Sequence, residues 1–427
     1  MDGVRPSPDR QVVELNERLG DAAARPGTPA DRIDGVVPAV VVAPPTSEAV
    51  ARALRWASDT DRSVLIRGGG TKLGWGALAR EVDLLLSTEA LAEVEAHRHG
   101  DLTATVQAGA TLAATNAELA RHRQWLPLDP PAHEHATIGG IVATNDSGPR
   151  RQRHGAPRDL IIGMTLARAD GVLAKSGGIV VKNVAGYDLS RLFTGSFGCL
   201  GVILTATFKL APVADASRSV RVSYADATQC ATYANRLLDL ASTPTAMEVT
   251  WPSSTLLVRF ESVESVAVQQ AAHAVALAGE TGGTATVIAE ADEPAAWRAH
   301  QARVFEGEGA VVKLVVLPSD LPATFAWLDE VTRGGTLDAE LIGRAGLGVL
   351  YLRIAGPLTQ QISFIRQLRE RLTVGHGSAV LQRGDEDLRR QLDPWGTIGD
   401  GLPVMRQVKR QFDPAGTLNP GRGPGGI

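Results

Sequence analysis

The sequence predicts a two-domain α+β protein. Its 427 residues exceed the length that one hydrophobic core usually serves. Hydrophobic residues make up 44% and charged residues 21%, a balance typical of globular domains with sizeable cores and a solvated surface. The pattern of predicted elements changes near residue 213. We therefore expect an N-terminal helix and linker over 1–37, a first domain over 38–213 and a second domain over 214–427.

The first domain contains short apolar strand-like runs separated by capped helices. A leading helix is predicted over Asp9 to Ala24, before a linker rich in Pro and Gly. Thr46 and Thr111 are predicted N-caps, the second for a helix that runs through Leu119. The predicted strands are 40–42, 82–86, 92–96, 103–107, 161–168, 172–174 and 201–210.

The second domain alternates strands with longer helices. Helical spacing of apolar residues is present over 227–240, 263–278, 321–332 and 360–372. Strand patterns cover 220–223, 256–260, 311–317 and 348–354. Because these strands lack the uniformly apolar character of a buried parallel sheet, the pattern predicts an antiparallel sheet with helices on one face.

Two glycine-rich stretches are the strongest functional feature. Gly68-Gly69-Gly70 follows the apolar run Val64-Leu65-Ile66, and Thr137-Ile138-Gly139-Gly140 begins the second stretch. Glycines can adopt positive φ and let consecutive N–H groups converge on an anion without an intervening Cβ. The two stretches therefore predict a cradle for the diphosphate of a dinucleotide, with a surface turn as the alternative for the first stretch alone.

Several other classes of protein are excluded. Neither glycine stretch has G-x-G-x-x-G spacing opening a helix, and G-x-x-x-x-G-K-[ST] is absent, so Rossmann and P-loop folds do not fit. A net charge of -4 without a basic stripe argues against nucleic acid. The two cysteines, Cys199 and Cys230, are too few for an iron–sulfur cluster. No signal-peptide h-region or run of about 18 apolar residues is present, which predicts a cytoplasmic chain without a transmembrane segment.

The ordered motifs resemble the FAD-binding domain of the vanillyl-alcohol oxidase and p-cresol methylhydroxylase superfamily. R-G-G-G-T at Arg67–Thr71 and T-I-G-G at Thr137–Gly140 occur in that family's order. K-N-V-A-G-Y-D-L-S-R-L at 182–192, G-S-F-G-C-L-G-V at 195–202 and D-P-A-G-T-L-N-P-G at 413–421 follow. The resemblance implies a PCMH-type FAD domain of two subdomains and an α+β cap domain, with the C-terminal segment returning to the flavin.

Within that superfamily the chain is most similar to the FAD-binding, E-type subunits of glycolate oxidase. This resemblance implies oxidation of glycolate, a 2-hydroxy acid, to glyoxylate by hydride transfer to FAD. It also implies a complex with a catalytic FAD subunit and an iron–sulfur subunit, and any attachment to the inner membrane face would come through those partners. Two alternatives stay open: a self-sufficient FAD-linked dehydrogenase or oxidase, and a non-catalytic assembly subunit stabilised by FAD.

The resemblance carries FAD contacts to positions that match the family motifs. The expected cofactor-binding residues are Arg67, Gly68, Gly69, Gly70, Thr71, Lys72, Pro130, Thr137, Ile138, Gly139, Gly140, Asn145, Gly148, Gly155, Val202, Ile203 and Asn419. Many family members attach FAD covalently through a histidine in or just after the first glycine loop. No histidine lies between Gly68 and Gly76, so FAD is expected to bind noncovalently here.

The chain also departs from the family's catalytic members. Phe197 and Cys199 occupy positions where catalytic relatives commonly have Glu and Thr. The second domain offers His273, His300 and His376 without paired ligand spacing, so no metal site is expected. Both departures favour an accessory FAD subunit over an independent catalyst.

Four residues are candidates for a base or for binding an anionic substrate. They are His154, Lys182, Tyr187 and Arg383, and the catalytic base itself is not identified. A structural role, such as bracing a loop, is the alternative for each of them.

Overall fold

The structure is a computed structural model and describes residues 7–19, 24–132, 134–179, 186–240, 242–374 and 377–427. It divides the chain into two compact units. The first comprises the chain up to Ser147, Ala156–Val213 and Thr397–Ile427, and the second comprises Gly148–Gly155 and Ala214–Gly396. The C-terminal segment, which the sequence prediction placed in the second domain, therefore packs with the first unit.

Helices are distributed over both units of the described chain. In chain order they are α1 (Pro8–Leu19), α2 (Ser47–Asp59), α3 (Leu112–Leu119), α4 (Ile138–Thr144), α5 (Arg151–His154), α6 (Pro157–Leu160), α7 (Leu189–Phe193), α8 (Ala227–Asp239), α9 (Glu264–Glu280), α10 (Glu293–Phe305), α11 (Leu321–Thr332), α12 (Leu358–Val374), α13 (Glu386–Gln391) and α14 (Leu402–Phe412).

Strands of the first unit form two main sheets and a two-stranded ribbon. They are β1 (Ala24–Pro26), β2 (Val40–Val42), β3 (Val64–Arg67), β4 (Leu84–Ser87), β5 (Val94–Arg98), β6 (Thr103–Gln107), β7 (Gln124–Trp125), β8 (Ile161–Ala167), β9 (Leu173–Gly177), β10 (Val202–Lys209) and β11 (Ala211–Pro212). One sheet has the order β1-β2-β4-β3, in which β4 is parallel to β2 and β3. The other has the antiparallel order β5-β6-β10-β8-β9.

Threonine caps begin three helices of the first unit, α2, α3 and α4. The Thr46 hydroxyl accepts a hydrogen bond from Ala49 N at 3.2 Å, and Thr111 does the same for Ala114 N at 3.1 Å. Both predicted caps are thus confirmed. The leading helix is shorter than predicted, because α1 ends at Leu19 and Ala24 begins an edge strand of the first sheet.

The second unit is built on an eight-stranded antiparallel sheet. Its order is β15-β12-β14-β13-β17-β18-β16-β19. The strands are β12 (Ala216–Ser223), β13 (Ala246–Trp251), β14 (Thr255–Ser262), β15 (Thr284–Val287), β16 (Ala310–Val315), β17 (Asp338–Arg344), β18 (Val349–Ala355) and β19 (Ser378–Arg383).

Helices cover both faces of this sheet, which corrects the prediction of helices on one face only. Alternate residues such as Val249 and Leu256 join the main core on one face. On the opposite face, Trp297 of α10 packs against Ala246 and Leu257. The sequence prediction missed α10 because its apolar residues are sparse and its face contains alanines in place of a wide apolar stripe.

The short segment Gly148–Gly155 is anchored within the second unit by charge. Arg150 donates to both carboxylate oxygens of Glu261, Nε at 3.0 Å and Nη2 at 2.6 Å. Burial opposes ionisation of Glu261, yet the Arg150 guanidinium overrides it and lowers the pKa of this carboxyl below its ordinary value. His154 follows on the same segment, and burial lowers its pKa to about 4.

We expect the second unit to lose stability as pH falls from about 6.5 toward 4. Unfolded His154 takes up a proton near its ordinary pKa of about 6.5, whereas the folded residue stays neutral until about pH 4, so acid favours the unfolded state. Thermal melting across this pH range would measure the effect, and His154→Gln should flatten it. An unchanged pH slope in that variant would contradict the assignment.

Candidate functional site

A cleft of the first unit gathers most of the motif residues. It encloses about 860 Å³, part of it open to solvent. The lining residues are Leu65, Ile66, Gly68, Gly69, Gly70, Thr71, Lys72, Leu73, Trp75, Thr88, Ala108, Thr137, Gly139, Gly140, Ala143, Thr144, Phe197, Gly198, Gly201, Ile203, Asn419 and Arg422. Both predicted glycine stretches therefore line one cleft.

The first wall is the loop that follows β3, and its glycines are required for two different reasons. A Cβ on Gly69 would lie 2.0 Å from the backbone oxygen of His135, so no side chain fits there. Gly70 has φ +75°, a conformation that L side chains rarely adopt. Among Gly68, Gly69 and Gly70, only Gly70 has the positive φ that glycine permits. A Cβ on Gly68 would lie 2.2 Å from the Thr137 hydroxyl oxygen, so close packing explains Gly68 and Gly69.

The second wall begins where α4 follows Thr137. The Thr137 hydroxyl accepts hydrogen bonds from Gly69 N at 3.3 Å and from Gly140 N at 3.4 Å, so one side chain joins both glycine stretches. Gly139 N donates to Ala108 O at 2.8 Å. The second glycine stretch forms a short helix, with Thr137 as its N-cap.

A third wall comes from the C-terminal segment. Asn419 N donates to Val64 O at 2.8 Å, which aligns the tail in parallel beside β3. The Asn419 side chain accepts from Ile66 N at 3.1 Å and donates to Phe197 O at 2.6 Å. One amide thus links the β3 loop to the G-S-F-G-C segment, and the tail completes the cleft.

The tail is held by a buried cation. Lys409 Nζ lies 2.6 Å from Asp413 Oδ2 and donates to the carbonyl oxygens of Cys199 at 2.8 Å and Leu418 at 2.9 Å. Asp413 also accepts from Thr417 N and Leu418 N. Because every partner is buried, this group fixes the backbone that presents Asn419 to the cleft.

Basic side chains at the cleft are already paired with carboxylates. Lys72 Nζ lies 3.3 Å from Asp146 Oδ2, and Arg422 Nη1 lies 2.9 Å from Asp34 Oδ2. Arg67, at the end of β3, directs its guanidinium toward Asp31 at 3.4 Å and does not line the cleft. An anion here is therefore recognised chiefly by backbone N–H groups and fixed dipoles, without excess positive charge.

This charge balance predicts that flavin affinity depends only weakly on salt. Raising NaCl from about 0.1 to about 1 M shortens the screening length from about 10 to about 3 Å, yet the dissociation constant of FAD should change by less than about threefold. Fluorescence titration of the apoprotein would measure it. Asp146→Asn leaves Lys72 uncompensated and should introduce a clear salt dependence. A wild-type affinity that falls tenfold or more with salt would contradict this reasoning.

The other predicted cofactor residues take several positions. Asn145 ends α4 with φ 48°, and its side chain accepts from Arg158 N at 3.2 Å. Five more predicted positions lie outside the lining. Pro130 is buried, and Ile138 and Val202 lie in apolar cores. Gly148 and Gly155 belong to the second unit. Ile203, by contrast, lines the cleft beside Gly201.

The three catalytic candidates within the described residues, His154, Tyr187 and Arg383, do not line this cleft. Tyr187 is 94% exposed. Arg383 donates to backbone oxygens of Phe305 and Gly307 at 2.6 and 2.5 Å, so its guanidinium braces a turn of the second unit. His154 lies in the second unit, and Lys182 falls outside the described residues.

Sequence reasoning missed several lining residues. Thr88 and Ala108 follow strands β4 and β6, where ordinary small residues carry no motif. Arg422 was not predicted either, although it donates to Leu73 O and to Trp75 O. Its position directly after N-P-G was the available signal, because the same tail supplies Asn419.

Comparison with known families agrees with this geometry. Residues 38–177 match the FAD binding domain family, and residues 397–422 match the C-terminal domain of FAD linked oxidases. The predicted cofactor, FAD, is confirmed by the first match. The cleft fits it, since a glycine-lined wall that excludes any Cβ faces a mixed polar and apolar interior.

Curated relatives match over part of their length. The chain is 39% identical to a D-lactate dehydrogenase of Archaeoglobus fulgidus over 40% of this chain and 39% of the relative. It is 31% identical to glycolate oxidase subunit GlcD of Bacillus subtilis, over 59% of this chain and 53% of that relative. It is 44% identical to glycolate oxidase subunit GlcE of Escherichia coli, over 28% of this chain and 35% of that relative. The chain thus spans about half or less of each relative, and these matches support the predicted superfamily.

Solved structures share the fold. The chain superposes on p-cresol methylhydroxylase with a TM-score of 0.76 at 14% identity, covering 98% of this chain and 97% of that one. A glucooligosaccharide oxidase of Acremonium strictum gives a TM-score of 0.68 at 15% identity, covering 95% and 96%. The predicted fold class, a PCMH-type FAD domain followed by an antiparallel α+β domain, is confirmed.

Proposed function

We propose that this chain is the FAD-binding subunit of a 2-hydroxy acid oxidase complex that converts glycolate to glyoxylate in the cytoplasm. The observation that carries the proposal is the glycine-walled cleft within a chain whose residues 38–177 match a FAD-binding domain. FAD, when bound noncovalently there, supplies a hydride acceptor. Similarity to D-lactate dehydrogenase and to two glycolate oxidase subunits supports the substrate class.

An accessory role is supported by the side chains that line the cleft. Among the described residues of its lining, none is His, Asp, Glu, Cys or Tyr. Lys72 and Arg422 are the ionisable groups there, and each is engaged by a carboxylate. Oxidation of a hydroxy acid needs a group that removes the hydroxyl proton, and this lining offers no such base.

The chain's own residues would hold and shield the flavin. The Gly68–Lys72 loop and Thr137 position the diphosphate, while Asn419 fixes the spacing between two walls. Phe197, with φ 55°, lines the cleft at a position where the resembling catalytic proteins have an acid. An apolar ring excludes water from the cleft but cannot accept a proton.

A spectroscopic experiment separates the candidates. The purified chain is mixed anaerobically with glycolate or D-lactate, alone and after co-expression with a partner flavoprotein and an iron–sulfur subunit, and the flavin absorbance is followed. Bleaching only in the complex is the expected result. Bleaching of the chain alone would establish a self-sufficient dehydrogenase, a role that the similarity to D-lactate dehydrogenase favours. A flavin that is never reduced would indicate a structural cofactor.

None of the helices in the described residues is long and apolar enough to span a membrane. Among the same residues, no group of three or more His, Cys, Asp or Glu side chains is arranged to hold a metal ion. The iron–sulfur centre of the proposed complex would therefore be carried by a partner, since Cys199 and Cys230 are both buried and belong to different units.

A further inference from the structure

The second unit contains a cleft of its own. It encloses about 800 Å³ open to solvent and lies between helix α10 and strands β12, β13 and β14. Its polar lining residues are Arg221, Thr250, Ser253, Thr255, His300 and Arg303. The other lining side chains are alanines and leucines. The function proposed above uses none of them.

Strand register and helical spacing place these groups around one space. Arg221 pairs with Leu257, and Thr255 pairs with Thr250, so the two strand rows present these side chains on the face that α10 covers. On α10, the positions 296, 299, 300 and 303 recur at helical spacing and share one side of the helix. Alanine at 296 and 299 leaves room between helix and sheet.

The cleft carries positive charge without a lining carboxylate. The Arg221 side chain makes no hydrogen bond or ion pair with the described residues, and Arg221 is exposed. Arg303 pairs with Glu340, which lies outside the lining, through Nε at 2.9 Å. Two guanidinium groups therefore converge on a space in which nothing neutralises Arg221.

The buried acid beneath the cleft, Glu248, is already ion-paired. His300, only 7% exposed, places Nε2 3.1 Å from Glu248 Oε2, and Glu248 Oε1 lies 3.3 Å from Arg344 Nε. Because a carboxylate can only accept, the Nε2 of His300 donates, and its Nδ1 lies 3.4 Å from the Thr250 hydroxyl oxygen. The floor is thus fixed and contributes no uncompensated negative charge.

We propose that this cleft binds a small organic carboxylate. The carboxylate group would pair with Arg221 and Arg303, with the Thr255 and Ser253 hydroxyls as further donors. A short apolar chain would lie on Ala296, Ala299 and Leu257, which is on the face that α10 covers. An inorganic oxyanion would use only the charged half, so the apolar half favours a carboxylate. The proposal does not depend on the flavin or on the proposed function.

Calorimetric titration of the full chain with butyrate, inorganic phosphate and n-butanol tests it. We expect saturable binding of butyrate, weaker binding of phosphate and none of butanol. Arg221→Gln should weaken butyrate binding on the order of tenfold or more, since a charge-assisted contact is lost. Arg298→Gln, on the exposed side of the same helix, is the matched control and should leave binding unchanged.

A second variant tests the shape of the cleft separately from its charge. Ala299→Phe keeps both arginines but fills the space between helix and sheet, and its exposed position makes it compatible with folding. It should abolish butyrate binding while the melting temperature is maintained. The proposal is overturned by any of three results: no saturable binding, equal losses in the Arg221 and Arg298 variants, or phosphate binding tighter than butyrate.

Discussion

Gly69→Ala is expected to lose FAD. The new Cβ would stand 2.0 Å from His135 O and 3.3 Å from the Thr137 methyl group, so the β3 loop must move away from the second glycine wall. That movement breaks the Gly69 N to Thr137 hydrogen bond and widens the diphosphate cradle. Forcing such a displacement costs about 1–3 kcal/mol, which predicts affinity weakened by about tenfold to a hundredfold. The ratio of flavin to protein absorbance after desalting gives the first measurement.

Gly74→Ala provides the matched control in the same loop. Nothing lies within 4 Å of a Cβ built on Gly74, and its φ is not in the left-handed region. This variant should retain FAD at the wild-type level and melt at the same temperature. If both variants bind FAD normally, the loop is a surface turn; if both lose it, the loss reflects general flexibility of the loop.

Lys409→Met should destabilise the first unit strongly. The substitution leaves Asp413 buried without its cation and removes the bonds that hold Cys199 O and Leu418 O. Breaking a buried ion pair on one side typically costs about 3–5 kcal/mol. We therefore expect a melting temperature lower by several degrees, together with release of FAD as Asn419 leaves Ile66 and Phe197.

An exposed group of ion pairs provides the control for Lys409→Met. Arg390 pairs with Glu386 and Asp387 on α13, where all three side chains are more than a third exposed. Arg390→Gln should change stability by less than about 1 kcal/mol and leave the flavin in place. If Lys409→Met behaved as mildly as Arg390→Gln, the buried group would not be what holds the tail.

The sequence predicted those parts of the fold that depend on local patterns. Strand β6 was predicted at its observed bounds, and helix α11 matches the predicted 321–332. Strands β13, β17 and β19 were missed, because each mixes polar and apolar residues in a way that only the neighbouring strands explain. Glu248 in β13, for example, is buried beside Arg344 and His300, which come from distant parts of the chain.

The residues of the cleft could be predicted where they belong to glycine-rich sequence motifs. The glycines at 68–70 and at 139–140 line the cleft, and so does Asn419. Their physical roles were only partly foreseen, because Gly69 is required by a backbone 66 positions away and not by its own torsion angle. The carboxylate partners Asp34 and Asp146 had no motif, since their role exists only after folding brings them to Arg422 and Lys72.

The pairing of the tail with β3 sets the order in which the protein can mature. Ile66 N and the Asn419 side chain are separated by 353 positions along the chain, yet they meet in one hydrogen bond. The ribosome releases β3 early, but the third wall of the cleft does not exist until residues 417–419 have been synthesised. Flavin capture must therefore follow translation of both units, and a nascent chain arrested before α14 would emerge from the ribosome colourless.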